Sequence, residues 1–260
     1  RVLFRSGGLA FGDALFEAVS ALTTTGLTTV TGMQERPAAF VFLRAWMQWY
    51  GGLGIAVLSV ALFMGHHAAA RRLAEPESPD VVATTARTHA RQVLLAYVGL
   101  TLVGVGVLWV LLGDGFVALT HALSAVSTGG FSSLEGGLAA LPLSAAGALT
   151  LLGVLGALPL VVLYRVGTGN LRELWEDPEP RALLIMLLAI AVLLAASLHY
   201  LNGYGWPEAA QHGLLLGASA QSTTGFASLQ ISDLDPTAKL LLMLAMFTGG
   251  GVGSTAGGIK

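Results

Sequence analysis

SAQSTTG, residues Ser219 to Gly225, decides how this chain is read, because the phrase has already occurred twice: SALTTTG at Ser20 to Gly26 and SAVSTGG at Ser124 to Gly130. Each copy runs Ser-Ala, any residue, Ser or Thr, Thr, Thr or Gly, and Gly. Each is followed by Leu or Phe and a small residue. The copies lie roughly 100 residues apart, longer than a solenoid period. That spacing suits two membrane crossings with a short element between them.

The surroundings agree. The chain has 260 residues, 54% hydrophobic and 11% charged, against about 25% charged in a soluble domain. This implies an all-α membrane protein. A net charge of -2 gives no bulk attraction to nucleic acid, and the absence of cysteine excludes disulfides and thiolate metal sites. No Walker-type, HExxH or GxSxG signature marks an enzyme.

A span needs about 20 apolar residues. Runs near that length lie at 45–65, 93–112, 139–163, 182–201 and 240–259. Arg71, Arg72, Arg87 and Arg91 fall between the first two, and Arg165, Arg172 and Arg181 between the third and fourth, so both linkers are expected on the cytoplasmic side. The phrases then face outside, in a multi-pass protein of the cell inner (plasma) membrane. Before each phrase stands an element too short to cross, at 13–23, 115–126 and 207–221. Asp13 and Asp114 are candidate N-caps, and Pro207 with Glu208 forms a first turn. The expected unit is span, half-helix, extended phrase, span. It divides the chain into a first repeat (1–65, leading span missing), a linker (66–92), a second repeat (93–163), a linker (164–181) and a third repeat (182–260). No fourth copy is present.

Non-helical backbone at membrane depth is tolerated only where it is buried in protein or lines a water-filled space. A Thr-, Ser- and Gly-rich extended segment there can turn carbonyls and hydroxyls toward a cation, replacing its hydration shell. Glycine supplies the backbone angles, which singles out Gly26, Gly130 and Gly225. The negative C-terminal ends of the half-helices also favour a cation. Each copy therefore reads as one wall of a cation pathway. Close packing of small residues in membrane helices is the plainer reading for any one copy, but three equivalent copies argue against it. GxxG pairs such as Gly153 and Gly156 read as packing.

ALTTTGLT, STGGFS, LRAWMQWYGGLGI at Leu43 to Ile55 and FTGGGVGSTAGGIK at Phe247 to Lys260 resemble the TrkH/KtrB superfamily of potassium transporters. The resemblance implies four pore-lining repeats of potassium-channel type around one filter, and a homodimer over a cytosolic nucleotide-binding regulator of TrkA or KtrA type. It implies potassium as the substrate, no cofactor in this chain, and a potassium filter formed by Thr24, Thr25 and Gly26, by Thr128, Gly129 and Gly130, and by Thr223, Thr224 and Gly225. The fourth filter strand has no counterpart, so a fragment is expected. In plant relatives a serine in place of the first filter glycine accompanies sodium preference; Gly26 therefore argues for potassium.

GGGVGSTAGG, residues Gly249 to Gly258, breaks the last apolar run, because each helical glycine costs about 1 kcal/mol relative to alanine. The resemblance makes Gly249, Gly250, Gly251, Gly253, Ser254, Thr255, Ala256, Gly257 and Gly258 an intramembrane gate loop below the filter. A loosely held segment is expected there; a kinked span is the alternative. Arg44 either snorkels outward or pairs with Glu17, and Gln48 is a polar residue within the same span. His121, at the site equivalent to Glu17, reads as a packed histidine. His66 and His67 lack a third metal ligand. Lys260 either ends the span or competes for the pore. The competing function is secondary transport of sodium or a small organic solute by broken helices.

Overall fold

The computed structural model describes the backbone of residues 8–72 and 79–259, with side chains described outside 59–86. Lys260 and the side chains of His66, His67, Arg71 and Arg72 lie outside the described residues. Everything described is helix or loop, with no strand among the described residues. The order is α1 (Phe11–Leu22), α2 (Ala38–Arg72), α3 (Pro79–Leu112), α4 (Gly115–Val126), α5 (Leu143–Gly156), α6 (Leu160–Gly167), α7 (Glu173–Glu176), α8 (Pro178–Tyr200), α9 (Trp206–Gln221) and α10 (Pro236–Thr248).

The three short elements α1, α4 and α9 match the expected half-helices closely. Asp114 caps α4, accepting hydrogen bonds from the Phe116 and Val117 amides at 2.8 and 3.1 Å. Pro207 and Glu208 lie in the first turn of α9. Asp13 is a correction: α1 begins at Phe11 with Ala10 at its N-cap, and Asp13 sits inside the first turn. There it still faces the positive end of the helix dipole.

A second correction concerns the third run. The stretch 139–163 is no single span, because α5 and α6 meet at a bend of 110°. Pro159 is the cause: it has no amide to give the helix, and its ring excludes the carbonyl four residues back. The Leu160 amide donates instead to Gly253 O at 3.3 Å. The bend thus turns freed backbone groups toward the Gly-rich loop.

Residues 87–112 and α8 are long and apolar enough to cross a membrane, and α5 with α6 makes a third candidate as a broken span. Leu102, Val103 and Val110 on α3, and Ile185 and Val192 on α8, are exposed, which suits a lipid-facing belt. Inside, α4 is wrapped by α3 and α5 around Leu108, Ala118, Ala122 and Leu149. Likewise α9 is enclosed by α8 and α10 around Leu194, Leu198, Leu216 and Leu242. Each enclosed half-helix is therefore held by the helix before it and the helix after it. Small residues permit this: a Cβ on Gly213 would fall 2.8 Å from Ala191 O, backbone against backbone.

Candidate functional site

All three phrases adopt one backbone shape, and it is an unusual one. Thr24, Thr128 and Thr223 have φ of 55°, 51° and 55°, while Gly26, Gly130 and Gly225 have φ of 77°, 77° and 81°. The residue between, Thr25, Gly129 or Thr224, is not among those with positive φ. Alternation of hand along a chain turns successive peptide planes, so that neighbouring carbonyls come to the same side, unlike those of a strand. A β-branched residue in the left-handed region costs on the order of 1–3 kcal/mol. The same strain at the same place three times marks a built feature.

The phrases also meet edge to edge. A Cβ on Gly26 would overlap the carbonyl oxygen of Gly129, and one on Gly130 would overlap that of Thr224. The first wall therefore abuts the second, and the second abuts the third. A Cβ on Gly225 would meet nothing within 4 Å. Gly225 also lines an apolar cavity of about 340 Å³, with Ser219, Phe226 and Met246 among others.

Each wall is braced from its own half-helix. Glu17 Oε1 accepts from the Thr28 hydroxyl at 2.7 Å and the Thr29 amide at 2.9 Å. At the equivalent site His121 Nε2 lies 3.0 Å from Ser132 Oγ, and its Nδ1 lies 2.9 Å from Val117 O. In the third copy these two sites are Leu216 and Ala227, and the bond is replaced one turn earlier by His212 and Ser228 at 3.0 Å. His121 is thus a packed, hydrogen-bonded histidine. Arg44 pairs with Glu17 instead of snorkelling, its Nε 2.8 Å from Oε2. Its guanidinium also stacks 3.8 Å from the ring of Phe131, just past the second phrase. Gln48 is a position whose partners the sequence leaves unspecified: Nε2 donates to Gly129 O at 2.6 Å, and Oε1 accepts from Ser124 Oγ at 2.8 Å and the Phe131 amide at 3.3 Å. A glutamine inside an otherwise apolar span is the available signal.

The Gly-rich loop lies against the base of these walls. Helix α10 ends at Thr248, and Gly249 turns with φ 64°, a conformation glycine adopts without strain. Thr255 Oγ1 donates to Val126 O at 2.9 Å and Gly156 O at 3.0 Å. The Thr128 hydroxyl donates to Thr255 O at 2.9 Å, and the Gly257 amide donates to Thr223 Oγ1 at 2.8 Å. Two of the three left-handed threonines therefore bind the loop through their side chains. Further out, the Val252 amide donates to Glu179 Oε2 at 2.8 Å, and the Gly251 amide to Ala157 O at 2.9 Å. The expectation of a loosely held loop is replaced by one anchored along its length. Backbone freed from helix must find partners where water is scarce, and here the walls and the α5–α6 bend supply them.

Among the described residues no group of three or more His, Cys, Asp or Glu is placed to hold a metal ion. The oxygen atoms of the phrases are neutral, main-chain carbonyls and threonine hydroxyls, and each phrase follows the C-terminus of a half-helix.

A family model described as "TrkH: Cation transport protein" matches residues 1–260. The Trk system potassium uptake protein TrkH of Vibrio parahaemolyticus is 31% identical over 261 residues, covering 95% of this chain and 53% of that protein. The Trk system potassium uptake protein TrkI of Halomonas elongata is 32% identical over 261 residues, covering 97% and 52%. The crystal structure of the potassium transporter TrkH from Vibrio parahaemolyticus superimposes with a TM-score of 0.82 at 28% identity, covering 96% of this chain and 52% of that one. The chain spans about half the length of the curated relatives it matches.

Proposed function

The chain belongs to the TrkH family of cation transport proteins, and from that premise we propose that it supplies three of the walls of a potassium-uptake pathway in the cell membrane. One observation carries the reading: three phrases with the same alternating backbone, nested so that Gly26 sits on Gly129 and Gly130 on Thr224. Carbonyl and hydroxyl oxygens with no carboxylate in any of the three phrases suit a weakly hydrated monovalent cation better than a divalent one, which prefers charged ligands. The relatives named as potassium uptake proteins support potassium as that ion.

The open flank of Gly225 takes a fourth wall of the same kind, and the Gly-rich loop beneath acts as the gate. The resemblance to the family supports a homodimer served by a cytosolic nucleotide-binding regulator, with the pathway crossing the cell inner membrane. The test uses full-length protein in an uptake-deficient host and in proteoliposomes. Gly225→Ser is expected to lower the preference for potassium over sodium, since both the added side chain and the φ of 81° work against the wall geometry. Unchanged preference rejects the filter assignment.

A further inference from the structure

Gly129 is the odd member of its set. The equivalent residues are Thr25 and Thr224, and Gly129 does not have the positive φ that would require glycine. Its backbone therefore permits threonine as freely as in the other two walls. What forbids it is Gln48: a Cβ on Gly129 would overlap the carboxamide carbon of Gln48, with Nε2 and Oε1 both 2.7 Å away. At the next seam the arrangement is reversed. Thr224 carries the side chain, and the helix behind it carries Gly153, whose hypothetical Cβ would lie 2.5 Å from Thr224 Oγ1. Gln48 stands 22 residues after Gly26, and Gly153 stands 23 after Gly130, so the two occupy corresponding places in successive repeats. One seam is filled by helix glutamine against wall glycine, the other by wall threonine against helix glycine.

The hydrogen bonding follows the same exchange. Thr224 Oγ1 lies 2.7 Å from Ser222 Oγ, within its own wall. Gly129 has no hydroxyl, and its carbonyl is held from outside by the Gln48 amide, which also accepts from Ser124. The third-copy equivalent of Ser124 is Ser219, whose hydroxyl is the one buried side-chain polar atom without a partner among the described residues. No glutamine stands behind it.

We infer that Gln48 is a positioning residue for ion selection: it fixes the Gly129 peptide and so sets the second wall, in the place a threonine side chain takes in the third. This rests on the filter reading above. The three bonds of the carboxamide tie one rotamer to Gly129 O, Ser124 Oγ and the Phe131 amide, on both sides of the wall. A wall carbonyl that already accepts a hydrogen bond is also restrained from tipping toward a smaller ion.

The experiment is an exchange of the two seam types in full-length protein, reading the potassium-to-sodium flux ratio in proteoliposomes together with the melting temperature. Gln48→Ala is expected to lower the ratio by about fivefold, the value of one lost hydrogen bond of ordinary strength. Gly129→Thr alone is expected to lose the ratio and lower the melting temperature through overlap. The pair Gly129→Thr with Gln48→Gly copies the third seam and is expected to regain both. A double variant no better than Gly129→Thr overturns the inference, as does a Gln48→Ala protein that melts lower yet keeps its parent's ratio. A parent without any potassium preference instead rejects the filter reading, while melting temperatures of the same variants still report on the packing exchange.

Discussion

Arg44 and Glu17, on different helices, form an ion pair of 2.8 Å with side chains 2% and 0% exposed. Both do more than pair with each other, since Glu17 holds Thr28 and Thr29 after the first wall, and Arg44 stacks on Phe131 after the second. The pair therefore ties two walls together across a seam. Removing one member leaves an uncompensated buried charge, typically worth about 3–5 kcal/mol, whereas replacing both with apolar residues often costs little. Arg44→Leu is expected to lower the melting temperature sharply, and Glu17→Leu with Arg44→Leu to recover most of the loss while the flux ratio stays impaired. A single variant as stable as the double would reject the brace.

The flank of Gly225 distinguishes an open edge from a filled one. At Gly26 and Gly130 an alanine meets a neighbouring carbonyl and is expected to abolish transport. If Gly225 faced only open space, Gly225→Ala would carry just the left-handed strain, about 1–2 kcal/mol. We expect it in full-length protein to be as damaging as Gly26→Ala, because the proposed fourth wall would abut it. Transport assays of the three alanine variants side by side decide between the two.

Loop anchoring predicts how the proposed gate responds. On that proposal, shortening Gly249 to Gly253 is expected to raise liposome flux. Glu179→Ala, which leaves the Val252 amide without its acceptor, is expected to raise it more modestly and to make a cysteine placed at Val252 react faster with a water-soluble thiol reagent. Flux and reactivity both at the parental level would argue for a rigid kink.

Asp235 gives a pH dependence outside the spans. Burial raises its carboxyl, but hydrogen bonds from the Ser197 hydroxyl and the Ala238 and Thr237 amides outweigh that and hold it below the usual carboxylate range. A depressed carboxyl stabilises the fold above its unfolded value, and the contribution fades as pH falls through the folded one. The melting temperature of Asp235→Asn should therefore lie below the parent's near neutrality, with the gap closing below about pH 4. A gap independent of pH would reject this account of the α10 cap.

Much of the architecture is legible in the sequence alone. Repetition of SAxSTG locates the three phrases that share one backbone shape. Half-length helices before each phrase and the Gly-rich break at Gly249 are also legible, because cap chemistry, apolar run length and helix propensity are local properties. Pro159 is just as local, and the 110° bend is hidden only because an uncharged run continues through it. The N-terminus of α1 is hidden because its Ala10 cap has no side-chain acceptor to announce it.

What only the tertiary structure decided was who faces whom. The pairing of Arg44 with Glu17, the amide of Gln48 on Gly129, and the grip of Thr128 and Thr223 on the loop join residues 27 to 127 positions apart. No local rule fixes such distances. They follow from backbone nesting against backbone, where a glycine on one side makes room for whatever the other side brings.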